Sequence, residues 1–309
     1  TVVHMLADAA ERRPDAIALR NAAAELTYRD YAASVALLAE RLIALGAGGA
    51  RGERIALMMG NSIDMAIAMF AIHAAGAQAV PINPLYTARE AQYILDNSAP
   101  IATIHDATVA ALVTALDNTG ERIPGNGTNF INRDSALLPT PFPQPDDLAT
   151  LQYTGGTTGY PKGVNITHRQ MSVNISQREA ILPAETDAES VICVMPLFHV
   201  FAVSMCLHLA CYCRGRLFIL ERYHPAELCS ALEDEMITIL PAGPTIFTGL
   251  LNFDDFAHTD TGALKWCYSG SAPLPEETLR RWEDATGCFI LEGYGQTEAG
   301  PIISCNRPS

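Results

Sequence analysis

The sequence predicts an α/β protein with two mostly parallel β-sheets that are covered by helices. Short apolar or β-branched runs alternate with amphipathic runs of helical spacing along most of the chain. Alternation of this kind favours parallel strands whose connecting helices pack on both faces of a sheet. The 309 residues are enough for two domains or one large one, and a composition with 49% hydrophobic and 17% charged residues excludes a disordered chain.

The N-terminal part of the chain carries clear helix and strand signals. One helical face is formed by apolar residues at helical spacing: Tyr31, Val35, Leu38, Leu42 and Leu45. Two buried strands are predicted next: Ile55-Ala56-Leu57-Met58-Met59 and Gln78-Ala79-Val80-Pro81-Ile82. Asn61 is expected to cap the helix between these strands. The run Thr87-Ala88-Arg89-Glu90 is a capping box for the helix that follows.

A proline-rich segment, residues 138–147, divides the sequence. It contains Leu138-Pro139-Thr140-Pro141-Phe142-Pro143-Gln144-Pro145, a composition typical of a linker. The segment predicts a first α/β subdomain over residues 1–137 and a second over residues 148–309. The stretch 120–133, which is rich in Gly and Asn, is expected to be a loop or a region that has lost structure.

The most informative stretch follows the linker and reads Tyr153-Thr154-Gly155-Gly156-Thr157-Thr158-Gly159-Tyr160-Pro161-Lys162-Gly163. Glycines let the backbone approach an anion, threonine hydroxyls add donors, and Lys162 adds a cation. An apolar run ending at Tyr153 predicts a strand before this stretch, and Thr167 is expected to cap a helix after it. The spacing fits neither the P-loop nor the dinucleotide pattern, yet it predicts a phosphate-binding loop.

Residues 191–213 contain no Asp, Glu, Lys or Arg and pass the length test for a membrane span. Pro196 would break a continuous helix, so we interpret the segment as the strand Val191-Ile192-Cys193-Val194-Met195, a loop and a buried helix. Three further strands are predicted downstream: Arg216-Leu217-Phe218-Ile219-Leu220, Thr238-Ile239-Leu240 and Phe289-Ile290-Leu291.

Charge and cysteine content favour a soluble cytoplasmic protein. The net charge of −14, with no basic cluster, argues against nucleic acid as a partner. The eight cysteines are expected to be buried reduced thiols, because no C-x-x-C pair or regular spacing indicates a zinc site. The first residues lack the features of a signal peptide, so we expect no targeting or transmembrane segment.

Four motifs in order give a family resemblance. The phosphate loop is followed by Pro196-Leu197-Phe198-His199, by Ser269-Gly270-Ser271-Ala272-Pro273-Leu274 and by Gly293-Tyr294-Gly295-Gln296-Thr297-Glu298. The set resembles the adenylate-forming (AMP-binding) superfamily and is most similar to the N-terminal domain of long-chain fatty acyl-CoA ligases. The resemblance implies an acid-thiol ligase of fatty acid metabolism that uses ATP and Mg²⁺, with coenzyme A as co-substrate and a small carboxylic acid as substrate.

The resemblance also implies a role for each motif. The residues expected to hold the ATP phosphates are Thr154, Gly155, Gly156, Thr157, Thr158, Gly159 and Lys162. Those expected at the adenine are Gly270, Ser271, Ala272, Gly293, Tyr294 and Gly295. Thr297 is expected to contact the α-phosphate and Glu298 to bind Mg²⁺, and these two form the catalytic pair. The acyl pocket is expected at His199, Val200, Phe201 and Val203.

Some of these residues have a plainer interpretation. A lone Tyr is more often a core aromatic than a base platform, but the position of Tyr294 inside its motif favours the platform. His199 is assigned to the substrate site and not to proton transfer, and His168 is interpreted as structural. No G-x-S-x-G surrounds Ser269 or Ser271, so a serine hydrolase is disfavoured.

Alternative functions remain open at this point. Aryl-CoA ligases that act on cinnamates or benzoates share the motifs, and a non-enzymatic nucleotide-binding module is a further possibility. An adenylation domain serving a carrier protein is disfavoured, because residues 196–203 contain no Asp for an amino acid's amine. Relatives in the family continue with a ribose-binding Asp, a hinge Arg and a Lys-bearing C-terminal domain. These have no counterpart before Ser309, so we expect the residues present to be inactive alone.

Overall fold

The computed structural model describes residues 1–49, 52–155 and 161–308. Its strands β1 to β14 are Ile17–Arg20, Glu25–Thr27, Arg54–Met58, Gln78–Pro81, Ala102–His105, Glu121–Pro124, Leu148–Thr154, Lys162–Thr167, Ser190–Cys193, Arg216–Ile219, Ile239–Ala242, Trp266–Ser269, Ile290–Gly295 and Ile302–Cys305. Its helices α1 to α11 are Val2–Arg12, Tyr28–Ala44, Ile63–Ala74, Ala88–Ser98, Ala110–Ala115, His168–Ile181, Val200–Ala202, Leu209–Tyr212, Pro225–Asp234, Pro244–Leu251 and Glu276–Thr286.

Residue contacts divide the chain into two compact units. The first unit comprises Thr1–Ala16 and Leu26–Val173, and the second comprises Ile17–Glu25 and Asn174–Ser309. The two units are defined by contacts between residues, whereas the linker at residues 138–147 was predicted from sequence composition. The division of the chain at residues 138–147 stays a prediction.

The first unit contains a sheet with the strand order β6-β5-β3-β4-β7-β8. Neighbouring strands are parallel from β6 to β7, and β8 pairs antiparallel with β7 at the edge. Its buried side chains include Met58, Val80, Ile94, Leu95 and Leu151. The strand predictions around residues 55 and 78 are therefore confirmed, because both segments lie inside this sheet.

The second sheet has the strand order β14-β13-β12-β11-β9-β10-β1-β2. The pairs β1/β10, β10/β9, β9/β11, β11/β12 and β12/β13 are parallel, and β14 is antiparallel to β13. Trp282 is fully buried in this unit, stacked on Phe256 at 5.3 Å and packed edge-on against Phe247 at 4.9 Å. The predicted α/β class with two mostly parallel sheets is confirmed.

Helix ends test the capping predictions. Thr87 and Glu90 form the predicted capping box of α4, and Thr87 Oγ1 accepts a hydrogen bond from the Glu90 N–H. The prediction that Asn61 caps α3 is wrong, because Ser62 Oγ accepts the hydrogen bond from the Met65 N–H at 3.0 Å. Both neighbours are good capping residues, and the extended backbone of Ser62 places its hydroxyl at the helix end.

The stretch 120–133 is more ordered than the sequence suggested. It begins with β6, and the turn after β6 wraps around the carboxylate of Asp64, which is fully buried. Backbone N–H groups of Asn126, Gly127 and Asn129 donate to Asp64 Oδ2, and the Phe130 N–H donates to Oδ1 at 2.9 Å. Burial raises the pKa of Asp64 above its usual value, although these four hydrogen bonds lower it in part.

The uncharged stretch 191–213 folds as predicted, into a strand, a loop and a buried helical segment. After β9 the chain forms α7, six π-helical residues at Val203–His208, and α8. Across residues 1–49, 52–155 and 161–308, no helix is both long and apolar enough to cross a membrane. All eight cysteines are free thiols, and all but Cys305 are buried, as predicted.

Candidate functional site

The predicted phosphate loop connects the two antiparallel strands of a hairpin, β7 and β8, in the first unit. Thr154, the last residue of β7, pairs with Lys162, the first residue of β8, so the loop joins two antiparallel strands. Gly155 is exposed, whereas Gly156, Thr157, Thr158 and Gly159 lie outside the described residues. Strand β8 was missed by the sequence prediction, which carried the loop directly into a helix. Only Ile166 of its six residues is buried, which is a weak signal for a strand.

Lys162 is a cation available for an anionic ligand. Its side chain is exposed, and no ion pair joins it to another residue in the described part of the chain. The partner residue Thr154 is half-buried at the end of β7. A hairpin fixes the separation of its two ends, so Thr154 and Lys162 flank the loop at a defined distance.

Helix α6 begins directly after β8, and its start confirms the predicted cap. The Gln170 N–H donates to Thr167 Oγ1 at 3.2 Å, and Gln170 Oε1 accepts from the Thr167 N–H at 2.8 Å. This reciprocal pair is a capping box with Gln in the third helical position. It sets the point at which the chain turns from the edge strand into the helix.

The rings of His73 and His168 pack against each other next to strand β7. His168 is buried, and its ring lies 5.3 Å from that of His73, while His73 Nε2 is 3.4 Å from Thr150 Oγ1 of β7. Burial lowers the pKa of His73 to about 4, so this imidazole is neutral at pH 7. The packing of His168 fits its structural interpretation.

In the second unit, the predicted site residues follow the carboxyl ends of three parallel strands. The segment with His199 follows β9, the segment Gly270-Ser271-Ala272 follows β12, and Tyr294 lies at the end of β13. These strands belong to one run of the sheet in which β11 lies between β9 and β12. Because carboxyl ends of parallel strands meet at one sheet edge, the fold brings these predicted residues to the same edge.

The loop after β12 approaches the predicted acyl segment closely. A Cβ atom built on Gly270 would lie 3.0 Å from Cε2 of Phe201 and 3.3 Å from its Cζ. Ser271 has a φ of 71°, a left-handed conformation that non-glycine residues rarely adopt. Ser271 and Ala272 are both exposed. The start of this loop therefore lies directly beside Phe201.

Glu292 ties this loop to β13 and was missed by the sequence interpretation. Its Oε1 accepts a hydrogen bond from the Leu274 N–H at 2.8 Å, and Glu292 is half-buried. In the sheet, Ser269 pairs with Glu292, so the hydrogen bond connects the loop after β12 to the neighbouring strand β13. Its position one residue before Gly293 is the only sequence signal for this role.

Tyr294 is not a core aromatic, because 56% of its surface is exposed. Its hydroxyl accepts a hydrogen bond from Gln296 Nε2 at 2.5 Å, which orients the ring. A Cβ atom on Gly295 would lie 2.5 Å from the Pro301 carbonyl oxygen, so only glycine fits there. The Gln296 N–H donates to the same carbonyl at 2.9 Å and closes the turn.

Thr297 and Glu298 lie in that turn, in the short 3₁₀ segment Thr297–Ala299. Thr297 is half-buried, and Glu298 is exposed and forms no ion pair with the residues that the structure describes. Within that same part of the chain, no group of three or more His, Cys, Asp or Glu could hold a metal ion by itself. Glu298 can thus supply one carboxylate ligand, which suits a Mg²⁺ that keeps phosphate and water ligands.

His199 starts the short helix α7. Its Nδ1 accepts a hydrogen bond from the Phe201 N–H at 3.3 Å, so the imidazole caps the helix. The residue is exposed as a whole, yet burial of its ring lowers the pKa of His199 below the usual value. Val200 and Val203 are buried, and Phe201 is half-buried. The neutral capping imidazole and apolar neighbours fit a substrate-lining role better than proton transfer.

Comparisons with known proteins identify the family of the chain. A family model described as AMP-binding enzyme matches residues 6–309. A long-chain-fatty-acid–CoA ligase of Bacillus subtilis is 29% identical over 354 aligned residues, which cover 99% of this chain and 61% of the relative. A 4-coumarate-CoA ligase 1 of Narcissus pseudonarcissus is 28% identical and is matched over 82% of this chain and 49% of its own length.

Solved structures give the same result. The inhibitor-bound N-terminal domain of FACL13 from Mycobacterium tuberculosis superposes with a TM-score of 0.88 at 26% identity. The match covers 97% of this chain and 77% of that domain. The chain thus spans about half to three fifths of the length of these curated relatives, and its described fold is that of an N-terminal domain.

Proposed function

Since the chain belongs to the AMP-binding enzyme family, we propose that it is the nucleotide- and acid-binding part of an ATP-dependent acid–CoA ligase. The proposed acid is a fatty acid. In the first half-reaction a carboxylate oxygen attacks the α-phosphorus of ATP, an acyl-adenylate forms and pyrophosphate leaves. In the second, the sulfur of coenzyme A attacks the acyl carbon and AMP leaves. Mg²⁺ supplies positive charge for the phosphates when bound.

The observation that carries this proposal is the shared sheet edge in the second unit. The loops after β9, β12 and β13 all leave the carboxyl ends of parallel strands, which is where open α/β sheets bind ligands. Two of these loops hold the residues proposed to bind adenine, and the third holds those proposed for the acyl chain. Phe201 beside Gly270 joins the two proposed subsites.

For adenine, we propose that the exposed ring of Tyr294 stacks on the base. Backbone groups of Gly270, Ser271, Ala272, Gly293 and Gly295 would lie against the base edge. Stacking on an aromatic ring is worth about 1–3 kcal/mol per base. The Gln296 hydrogen bond holds the Tyr294 hydroxyl, so little ring motion has to be frozen when a base binds.

For the phosphates, we propose that the hairpin tip of the first unit binds the β- and γ-phosphates. The proposed set is Thr154, Gly155, Gly156, Thr157, Thr158, Gly159 and Lys162. Phosphoryl-type displacement depends on positioning and on neutralising spread negative charge, so amides, hydroxyls and a lysine suit the task. Thr297 is proposed at the α-phosphate, and Glu298 as the Mg²⁺ ligand.

For the acid, we propose a pocket at His199, Val200, Phe201 and Val203. The buried valines and the π-helical stretch that starts at Val203 give an apolar surface suited to an alkyl chain. An aromatic acid is the second candidate, favoured by the similarity to a 4-coumarate-CoA ligase. The protein is proposed to work in the cytoplasm, with small molecules and not nucleic acid as its partners.

The decisive experiment has two parts. Calorimetric titration of the 309-residue chain with AMP and with MgATP tests the nucleotide site, with Tyr294→Ala as the control variant. Pyrophosphate release by the complete gene product, measured with fatty acids and with cinnamates, tests the reaction and the acid class. Nucleotide binding without pyrophosphate release from any acid would favour a non-enzymatic nucleotide-binding module. Faster release with cinnamates or benzoates would favour the aryl-acid ligase.

A further inference from the structure

The side chain of Asn174 pairs with the backbone of Ile302 through both of its polar atoms. Asn174 Nδ2 donates to the Ile302 carbonyl oxygen at 2.7 Å, and Asn174 Oδ1 accepts from the Ile302 N–H at 3.1 Å. Asn174 lies inside helix α6 and is only 5% exposed. Both partners belong to the second unit. The side-chain amide of Asn174 thus forms the two hydrogen bonds with the Ile302 backbone that a neighbouring strand would otherwise form.

The pairing uses an edge that the sheet leaves open. Strand β14 is the terminal strand of the second sheet and pairs on one side with β13. An edge strand carries N–H and C=O groups without a strand partner, and these need hydrogen bonds when they are buried. Asn is a poor helix former, so its place within α6 is not explained by helix propensity. Of the common side chains, only Asn and Gln carry a donor and an acceptor on one amide.

The turn between β13 and β14 holds the proposed α-phosphate and metal residues. Gly295 at the end of β13 pairs with Ile302, and the residues between them form the turn with Thr297 and Glu298. Asn174 therefore fixes one end of the turn against α6. A shift of Ile302 along or away from the helix would move Thr297 and Glu298 with it, because the Gly295–Ile302 pair closes the turn.

We propose that Asn174 is a positioning residue for the nucleotide site: its amide sets the place of the β13–β14 turn and thereby of Thr297 and Glu298. The inference rests on the proposed function, because the turn matters only if it contacts nucleotide. It assigns Asn174 no contact with the ligand. Its effect is expected on binding of AMP, whose phosphate is the one assigned to Thr297.

The test compares three variants of the chain by calorimetry with AMP and by thermal unfolding. Asn174→Ala removes both hydrogen bonds, and we expect AMP affinity to fall about 3- to 10-fold at pH 8.5. Thr248→Val is the matched control, because it removes a hydrogen bond of similar depth, to Thr278 Oγ1, away from the turn. That control should lose thermal stability without losing AMP affinity.

Asn174→Asp gives a readout that a merely structural role would not move. At pH 8.5 an ionised carboxylate would face the Ile302 carbonyl oxygen without a proton to donate, so AMP affinity should fall at least as much as in Asn174→Ala. At pH 6 a buried carboxyl is more often protonated and can donate again. Arg178, one turn further along α6, opposes that protonation, but it is already paired with Glu179. The ratio of variant to wild-type affinity should therefore recover between pH 8.5 and pH 6.

The outcomes separate this inference from the proposed function. Wild-type chain that binds no AMP would contradict both. Wild-type binding with unchanged affinity in folded Asn174→Ala and Asn174→Asp would overturn the positioning role alone. Losses of AMP affinity that simply follow thermal stability, with Thr248→Val affected equally and no recovery of Asn174→Asp at pH 6, would also overturn it. Should Asn174→Ala fail to fold, the pH-dependent ratio for Asn174→Asp decides.

Discussion

Asp64 and Gly127 exchange hydrogen bonds in both directions. The Asp64 N–H donates to the Gly127 carbonyl oxygen at 3.1 Å, and the Gly127 N–H donates to Asp64 Oδ2 at 2.9 Å. The same carboxylate accepts from the backbone of Asn126, Asn129 and Phe130. One buried side chain at the start of α3 therefore organises the turn that follows β6.

Asp64→Ala is expected to lower the free energy of unfolding by about 3 kcal/mol, because several backbone N–H groups lose their acceptor at once. Chemical denaturation at pH 7 measures the change. The matched control is Asp15→Ala, whose carboxylate is 82% exposed in an ion pair with Arg29 and which should change stability by less than about 1 kcal/mol. Equal losses in the two variants would contradict the role given to Asp64.

The pH dependence of stability offers a second check on Asp64. Its folded pKa is raised, chiefly by burial, so the folded state binds the proton more tightly than the unfolded state. The stability from this proton is fully present below the unfolded pKa and is lost as the pH rises through the folded pKa. Wild type should thus lose more stability than Asp64→Asn between those two pKa values, measured by denaturation at each pH. A steeper loss in Asp64→Asn would contradict the sign.

The sequence predicted elements whose signal is local. The capping box predicted at Thr87 and the N-cap predicted at Thr167 depend on residues within three positions of each other, and both are present. The core strands around residues 55 and 78 could also be predicted from local sequence, because continuous apolar runs indicate strands that are buried on both faces. The class of fold followed from these elements and their alternation.

What the sequence could not show depends on partners that are distant along the chain. The stretch 120–133 looked unstructured because its order comes from Asp64, which lies more than 60 residues earlier. Nothing in the sequence distinguishes Asn174 from other polar helix residues, because its partner Ile302 lies 128 positions away. Strand β8 was missed for a different reason: an antiparallel edge strand with one buried residue lacks a clear alternating pattern.

Gly270→Ala tests the contact between the two proposed subsites. Its Cβ would lie 3.0 Å from the Phe201 ring, so the ring or the loop must move. We expect weaker AMP binding, by about tenfold, and partial recovery in the double variant Gly270→Ala/Phe201→Leu, which makes room for the methyl group. Calorimetry measures both. Gly60→Ala is the control, because a Cβ atom there would lie 3.7 Å from Asp106 Oδ2, an ordinary van der Waals distance. Additive effects in the double variant would show that the contact is not the cause.

Lys162→Ala is expected to weaken ATP binding about 10- to 100-fold and AMP binding much less, because AMP lacks the phosphates assigned to Lys162. Thr158→Ala should show the same preference with a smaller effect. Titration of each variant with both nucleotides gives the two ratios. Lys265→Ala, which removes an exposed lysine paired with Glu185, serves as the charge-matched control. Equal losses for ATP and AMP would mean that the hairpin tip does not hold the β- and γ-phosphates.

Tyr294→Ala should weaken AMP binding by about 1–3 kcal/mol, whereas Tyr294→Phe should retain most of the affinity because the ring is kept. The ring is 56% exposed, so neither variant should change the unfolding temperature much. Comparison of AMP with ribose 5-phosphate separates the base from the rest of the nucleotide. If the two variants lose the same affinity, the hydroxyl and not the ring face is the important group.

Val203→Phe tests the proposed acyl pocket in the complete gene product. Val203 is buried at the first π-helical residue, and a larger side chain there should fill space that a long alkyl chain would occupy. Pyrophosphate release should fall for long fatty acids before short ones. The decline should be graded along the chain-length series, since one methylene in an apolar pocket is worth only about 1–3 kcal/mol. Val173→Phe, at a side chain that is 45% exposed on α6, is the size-matched control and should leave the profile unchanged. A uniform loss at every chain length would place the acyl chain elsewhere.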